Sequence, residues 1–282
     1  MSEQRVPTAA GPWHAGEIRL QESVGVAERM AGNGPRVIRR FMPDQHRAFY
    51  AQLPFVVLGS VDSAGDVWAT LATGRPGFVS SPDPGRLAFD VVPSPDDPAS
   101  AGFAPGDAVG MLGIELHTRR RNRMNGRVVM RDAGRFEIAV EQSFGNCPQY
   151  IQLRDFEMVA GHRPGAVHLS GGLDDRARRM IAVADTFFVA SYTDDTVDGR
   201  QVDVSHRGGK AGFVRVGEDG VRTIPDFAGN LHFNTLGNFL LTPRAGLMFV
   251  DFATGDVLQL SGRAEVILES PEIAAFQGAE RL

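Results

Sequence analysis

Two stretches of this chain repeat one order of signals about 135 residues apart, and any fold must accommodate that repeat. In the first, Phe55 to Val61 (FVVLGSV) leads through the turn Asp62 to Asp66 into Val67 to Thr73, then Gly77-Phe78-Val79. In the second, Phe187 to Tyr192 (FFVASY) leads through DDTVDG into Gln201 to Ser205, then Gly212-Phe213-Val214. MLGIEL followed by Gly126-Arg127-Val128-Val129 is echoed by GLMFVDF followed by Gly262-Arg263-Ala264-Glu265-Val266. The spacings agree: Gly77 to Gly126 is 49 residues and Gly212 to Gly262 is 50, while Phe55 to Gly77 is 22 and Phe187 to Gly212 is 25. Short runs of β-branched and aromatic residues between Gly, Asp and Pro turns predict strands and hairpins. Their recurrence at a constant offset predicts a duplicated unit, two small β-barrels forming a pseudo-dimer within one chain.

With 33 Gly and 17 Pro, the composition suits many turns between short strands better than a helical bundle. Helices are expected at Asp44 to Leu53, Leu173 to Ala184 and Asn230 to Leu241. The division read from these signals is an N-terminal arm over 1–40, a first barrel over 41–160 and a second over 161–282. The arm is expected to drape over a core, with one amphipathic piece at Glu17 to Met30. A net charge of −5 gives no basis for general binding to nucleic acid or an anionic membrane. No apolar run approaches the ~18 residues that span a bilayer. The start, MSEQRVPTAAGPWHAGE, lacks the apolar core of a secretion signal, so the cytoplasm is the expected compartment. One cysteine, Cys147, excludes an intrachain disulfide and a thiolate zinc cluster.

The chemistry concentrates between Asp203 and Asn238. Arg207 and Lys210 place two cations on a hairpin, and Asp226, Gly229 and Asn230 are residues that start helices. A basic hairpin beside a helix start attracts phosphate by charge and by unpaired N–H groups; a solvated surface hairpin is the plain alternative. His206 is expected on the opposite strand face from Arg207, facing solvent or packing. Arg119, Arg120, Arg121, Arg123 and Arg127 form a second cationic cluster, read either as an anion clamp or partner-docking surface, or as a solvated hairpin tip. Cys147 is expected to be buried and inert, with a stabilised thiolate as the alternative, and Asn146 is a candidate groove residue. No metal-ligand spacing, Walker motif or dinucleotide fingerprint occurs; GGKAG lacks the Lys-Ser/Thr ending and the helix after it.

The segments DVSHRGG, PDFAGN and the helix leading to TPRAGLMF, with FFVASY and LQLSGRAEV in order, resemble the pyridoxamine 5′-phosphate oxidase-like, FMN-binding split-barrel proteins. PWHAGE, LGIELHTRRRNRMNGRV and QSFGNCPQYI are similar to a tandem, flavin-nucleotide-binding subgroup. The resemblance implies two tandem six-stranded antiparallel split barrels with short helices. It implies FMN in a groove between barrels, its phosphate held at Ser205, Arg207, Lys210, Gly229 and Asn230. The family's Arg-Lys pair at the helix start is replaced here by Asn230-Leu231. The first half has only Arg75 near the equivalent hairpin, so one site per chain is expected. The implied activity is an FMN-dependent oxidoreductase acting on a small molecule or a nicotinamide, with homodimerisation left open. The alternatives are a flavin-binding electron relay that docks a reductase through Arg119 to Arg127, and a haem- or deazaflavin-binding split barrel.

Overall fold

The structure is a computed structural model and describes residues 11–159, 165–196 and 199–282. Three helices open it: α1 (Ala15–Ser23), α2 (Ala27–Val37) and α3 (Asp44–Gln52). The strands β1 (Phe55–Val61), β2 (Val67–Thr73), β3 (Val79–Ser80), β4 (Arg86–Phe89), β5 (Ala108–Glu115), β6 (Arg120–Arg131) and β7 (Phe136–Asn146) follow. They form one antiparallel, curled half-barrel sheet in the order β2-β1-β5-β6-β7-β4-β3. Helix α4 (Asp175–Val183) begins the second half, which continues with β8 (Thr186–Thr193), β9 (Gln201–Gly208), β10 (Arg215–Val216), β11 (Arg222–Thr223), β12 (Asp226–Phe227), α5 (Asn234–Leu241), β13 (Arg244–Val250), β14 (Val257–Arg263) and β15 (Ala279–Arg281). A four-stranded sheet runs β14-β13-β8-β9, and β10-β11 and β12-β15 are separate ribbons. The protein is mainly β with few helices.

The small sheet repeats the order β2-β1-β5-β6 of the large one. Matching Gly59 to Ala190, the ladders match Ala69 to Val204, Gly110 to Gly246 and Asn125 to Ser261. Phe187 is therefore equivalent to Val56, not to Phe55; a slip of one residue on a strand exchanges its two faces. Contacts between the halves are reciprocal. A side chain on Gly110 would strike the Val202 carbonyl and the Asp203 backbone, and one on Gly246 would strike the Val67 carbonyl and the Trp68 backbone. Only glycine lets the strands approach so closely. Between them lies a shared core in which Val57, Ala69 and Leu112 pack with Phe188, Val204 and Met248.

The interior of the first sheet is filled by Phe89, Phe103, Phe136 and Ile138 against Val56, Leu58, Met111 and Met124. The N-terminal region is more ordered than an irregular arm. Helix α1 carries a capping box between His14 and Glu17, and Gly16 lies against Gly237 of α5. Trp13 donates to the Met30 carbonyl at 2.9 Å and packs with Ile38 and Phe144.

Three expected elements are shorter than the pattern suggests. The strand expected over Gly212 to Val216 is only Arg215–Val216. Gly212 turns at φ 80°, and the Phe213 ring fills the space beside Gly209, just as Phe78 does beside Gly74. The helix expected from Asn230 begins at Asn234, because Leu231 and Phe233 sit at φ 64° and 60° and break the helical turn before it. The helix expected over Leu173 to Ala184 spans Asp175–Val183, where Asp174 accepts from the Ala177 N–H at 2.7 Å.

Candidate functional site

The groove where β6 of the first half meets β9 and the start of α5 encloses about 110 Å³. Ser205, Arg207, Gly229 and Asn230 lie on it, as do Arg121, Arg123, Asn146 and Cys147. The sequence-based candidates thus come together from two distant segments, with exceptions. Lys210 is exposed in the turn after β9 and does not line the groove. Arg119 is exposed at φ 57° in the β5–β6 turn, while Arg120 lies over the Phe49 ring at 4.5 Å and donates to the Gln45 carbonyl. The arginine run is therefore no single clamp or solvated tip: strand alternation sends Arg121 and Arg123 into the protein.

Arg121 is the central charge. Its Nε donates to the Cys147 carbonyl at 3.0 Å and Nη2 to the Gln149 carbonyl at 3.5 Å. Its Nη1 lies 3.1 Å from His206 Nδ1, which must accept because a guanidinium only donates. Burial, then the charge of Arg123, brings the Arg121 pKa down to about 10. Among the described residues no carboxylate forms an ion pair with it. His206 is buried, not solvent-facing, and packs edge-on to Phe188. Burial, then Arg121, Arg207 and Arg123, holds its pKa well below the usual value, so the ring is neutral.

Arg123 crosses to the second half, where Nη1 meets both Asp203 oxygens at 3.1 and 3.0 Å and Asn234 Oδ1 at 3.1 Å. Ser205 Oγ lies 2.6 Å from Thr235 Oγ1 and 3.3 Å from Asp203. Arg207 is ion-paired with Asp226, which also accepts from Arg281 Nε at 3.0 Å. The arginine expected to be the main phosphate ligand thus shares a carboxylate with Arg281. Asn230 caps no helix, since its Oδ1 accepts from the His232 N–H at 3.1 Å, at the groove's rim. Cys147 is half-buried on the wall, and its thiol donates to Gln149 Oε1 at 3.2 Å, so it is not the sealed core residue expected.

Four arginines, Arg121, Arg123, Arg207 and Arg281, against the three carboxylates paired with them, Asp203, Asp226 and Glu280, leave this groove cationic at Arg121. Three buried polar atoms of its lining residues, Arg123 Nε, Asn146 Oδ1 and His206 Nε2, have no protein partner. Buried polar groups in folded proteins are normally satisfied, so such a cluster marks a place where another molecule supplies the bonds. Tyr150 and Phe227, 5.3 Å apart, and Phe233 add aromatic surface. Sequence pattern missed Asp203, Asn234, Thr235 and Arg281, and read Asp226 as a helix start where it is an ion-pair partner of Arg207 and Arg281. Asp203 alone carried a signal, a carboxylate inside the alternating strand Val202-Asp203-Val204.

The equivalent groove is built differently. The ladders match Arg123 with Gln259 and Ser205 with Thr70. Gln259 donates to the Ala69 carbonyl and to Asp97, and Thr70 pairs with Asp97. Asp97 thus meets the two positions that Asp203 meets in the first groove, but Val257 and Gln259 stand where Arg121 and Arg123 do.

No family model and no curated protein matches the chain. Among solved structures, HupZ of Group A Streptococcus is similar over 37% of this chain and 94% of its own, at 11% identity and a TM-score of 0.29. A Lactobacillus delbrueckii protein described as a candidate pyridoxamine 5′-phosphate oxidase is similar over 38% of this chain and 95% of its own, at 13% identity and a TM-score of 0.30. The likeness is one of fold. Among the described residues no helix is long and apolar enough to cross a membrane.

Proposed function

We propose that this chain is an FMN-binding protein whose single nucleotide site is the groove at Arg121. The observation that carries the reading is the buried Arg121 guanidinium, which among the described residues meets carbonyl oxygens, a neutral imidazole and the Cys147 side chain but no carboxylate. An anion there regains the Coulomb energy that burial has cost. Arg121 would hold the phosphate, with Arg207 and Asn230 beside it. Ser205 and Thr235 would meet the ribityl hydroxyls, and Asn146 and His206 offer their free polar atoms to the remaining edges. About 110 Å³ suits the phosphate end, and Tyr150 and Phe227 would offer aromatic surface to the fused rings. The residues fit the group.

Bound FMN would supply hydride and electron transfer, and the chain would supply binding, orientation and field. Arg121, Arg123 and Arg207 would hold the anionic end of the nucleotide by charge. The activity proposed is that of an oxidoreductase acting on a small molecule or a nicotinamide. The matching strand orders and reciprocal glycine contacts support a duplicated, tandem pseudo-dimer in which one chain provides both walls. The absence of both arginines from the equivalent groove, where Val257 and Gln259 stand, supports one nucleotide per chain.

The test is the absorbance spectrum of the purified protein incubated with FMN and passed through gel filtration. Flavin bands that co-elute at one equivalent, and are lost in Arg121→Ala, are expected. A protein that elutes colourless refutes the assignment.

A further inference from the structure

The two halves differ most at the far edge of their sheets. In the first half, β6 pairs with β7 along nearly its whole length, Arg121 with Asn146 through Arg131 with Phe136. In the second half β14, the equivalent of β6, pairs with β13 on one side and, among the described residues, with no strand on the other. Beside that free edge is a cavity of about 790 Å³. Its apolar floor includes Phe187, Val189, Leu247 and Leu260. These four match Val56, Leu58, Met111 and Met124 of the first half by the ladders given above. There, Phe136 and Ile138 of β7 complete the same core.

Charge tells the same story. Arg86, on the strand beside β7, is 3.7 Å from Glu137, which stands between Phe136 and Ile138. Arg222, on β11, lines the cavity of the second half. It is half-buried, its pKa is lowered by burial, and its one hydrogen bond is to the Gly220 carbonyl at 2.8 Å. Among the described residues it has no carboxylate partner. Open backbone groups, an apolar hollow and a cation without a carboxylate partner therefore lie together, where in the first half β7 pairs the strand edge, fills the core and brings Glu137 to Arg86.

We propose that the β14 edge is a docking site for an extended peptide segment of a partner protein, which adds as an antiparallel strand. Its side chains alternate apolar and polar, with an acidic residue beside Arg222. Main-chain hydrogen bonds along Val257–Arg263 give the affinity, and the apolar positions fill the cavity. The protein's own β7 is the template, so a synthetic peptide with the sequence of residues 135–144, RFEIAVEQSF, is the probe. The β14 strand lies outside the Arg121 groove, while the cavity beside it shares Arg207, Pro225, Asp226, Thr235 and Leu236 with that groove.

Hydrogen exchange of the whole protein tests this. With the peptide present, amides of Val257–Arg263 are expected to slow at least tenfold. A peptide N-methylated at alternate residues, which cannot pair, and one with Glu replaced by Lys are expected to slow them little. Equal protection by the N-methylated peptide, or none by any peptide, overturns strand addition. Protection by decanoate, matching that of the peptide, overturns it in favour of a small-molecule pocket.

Discussion

Replacing Glu17 by Gln should change how stability responds to pH more than it changes stability itself. Glu17 lies on α1 and is buried against the start of α5. Its carboxyl accepts from the His14 N–H at 2.9 Å and from the Asn234 amide, which in turn meets Arg123. Those bonds favour the ionised form, but burial outweighs them and raises the pKa from about 4.5 to about 8. A carboxyl whose folded pKa is raised contributes stability that is fully present below the unfolded value and is lost as pH rises through the folded one. Between pH 4.5 and 8 the loss grows by about 1.4 kcal/mol per pH unit, reaching of order 4 to 5 kcal/mol. Gln cannot titrate and loses one good hydrogen bond, about 1 kcal/mol. Glu17→Gln is therefore expected to be about as stable as wild type near pH 5 and the more stable protein, by about 3 to 4 kcal/mol, above pH 8. Urea midpoints of both proteins at pH 5 to 9 measure the difference directly, and titrations elsewhere in the molecule cancel. Parallel curves across that range would refute the argument that burial keeps Glu17 protonated.

Asp203→Asn leaves Arg123 buried without its charge partner and is expected to cost about 3 to 5 kcal/mol by chemical denaturation. Gly110→Ala and Gly246→Ala drive a methyl into the backbone of the opposite half, and each should lower stability by about 1 to 3 kcal/mol. His14, His46 and His232 are each held neutral by burial, with pKa values lowered to about 4. Their contribution is present above pH 6.5 and is lost as pH falls towards 4, so near-UV circular dichroism should collapse in that interval, not below it.

Much of this fold was readable because its signals are local. Strand runs such as FVVLGSV and FFVASY, and the Gly77/Gly212 and Gly126/Gly262 echoes, depend on period-two patterning and turn chemistry within a few residues. The helix start at Asn230 was misplaced because positive φ at Leu231 and Phe233 leaves no mark in residue type. The site was half legible. Ser205, Arg207 and Asn230 follow one another on a hairpin and its exit, so motif reading reached them. Arg121 could not be ranked above Arg119 or Arg120, since only the alternation of β6 and the packing of β9 decide which guanidinium is buried. Asp203, Asp226 and Arg281 matter because they share charges across long sequence separations, and no spacing announces that.

The measurement closest to the central claim is the ratio of dissociation constants for riboflavin and FMN, taken by flavin fluorescence quenching in wild type and in Arg121→Met. The two ligands differ only in the phosphate. If Arg121 holds it through charged hydrogen bonds of about 1.5 to 3 kcal/mol, wild type should prefer FMN by about 10- to 100-fold, and the variant should lose that preference while keeping its affinity for riboflavin. Equal affinity for the two ligands in wild type, or an undiminished preference in Arg121→Met, would contradict the assignment of this groove as a nucleotide site.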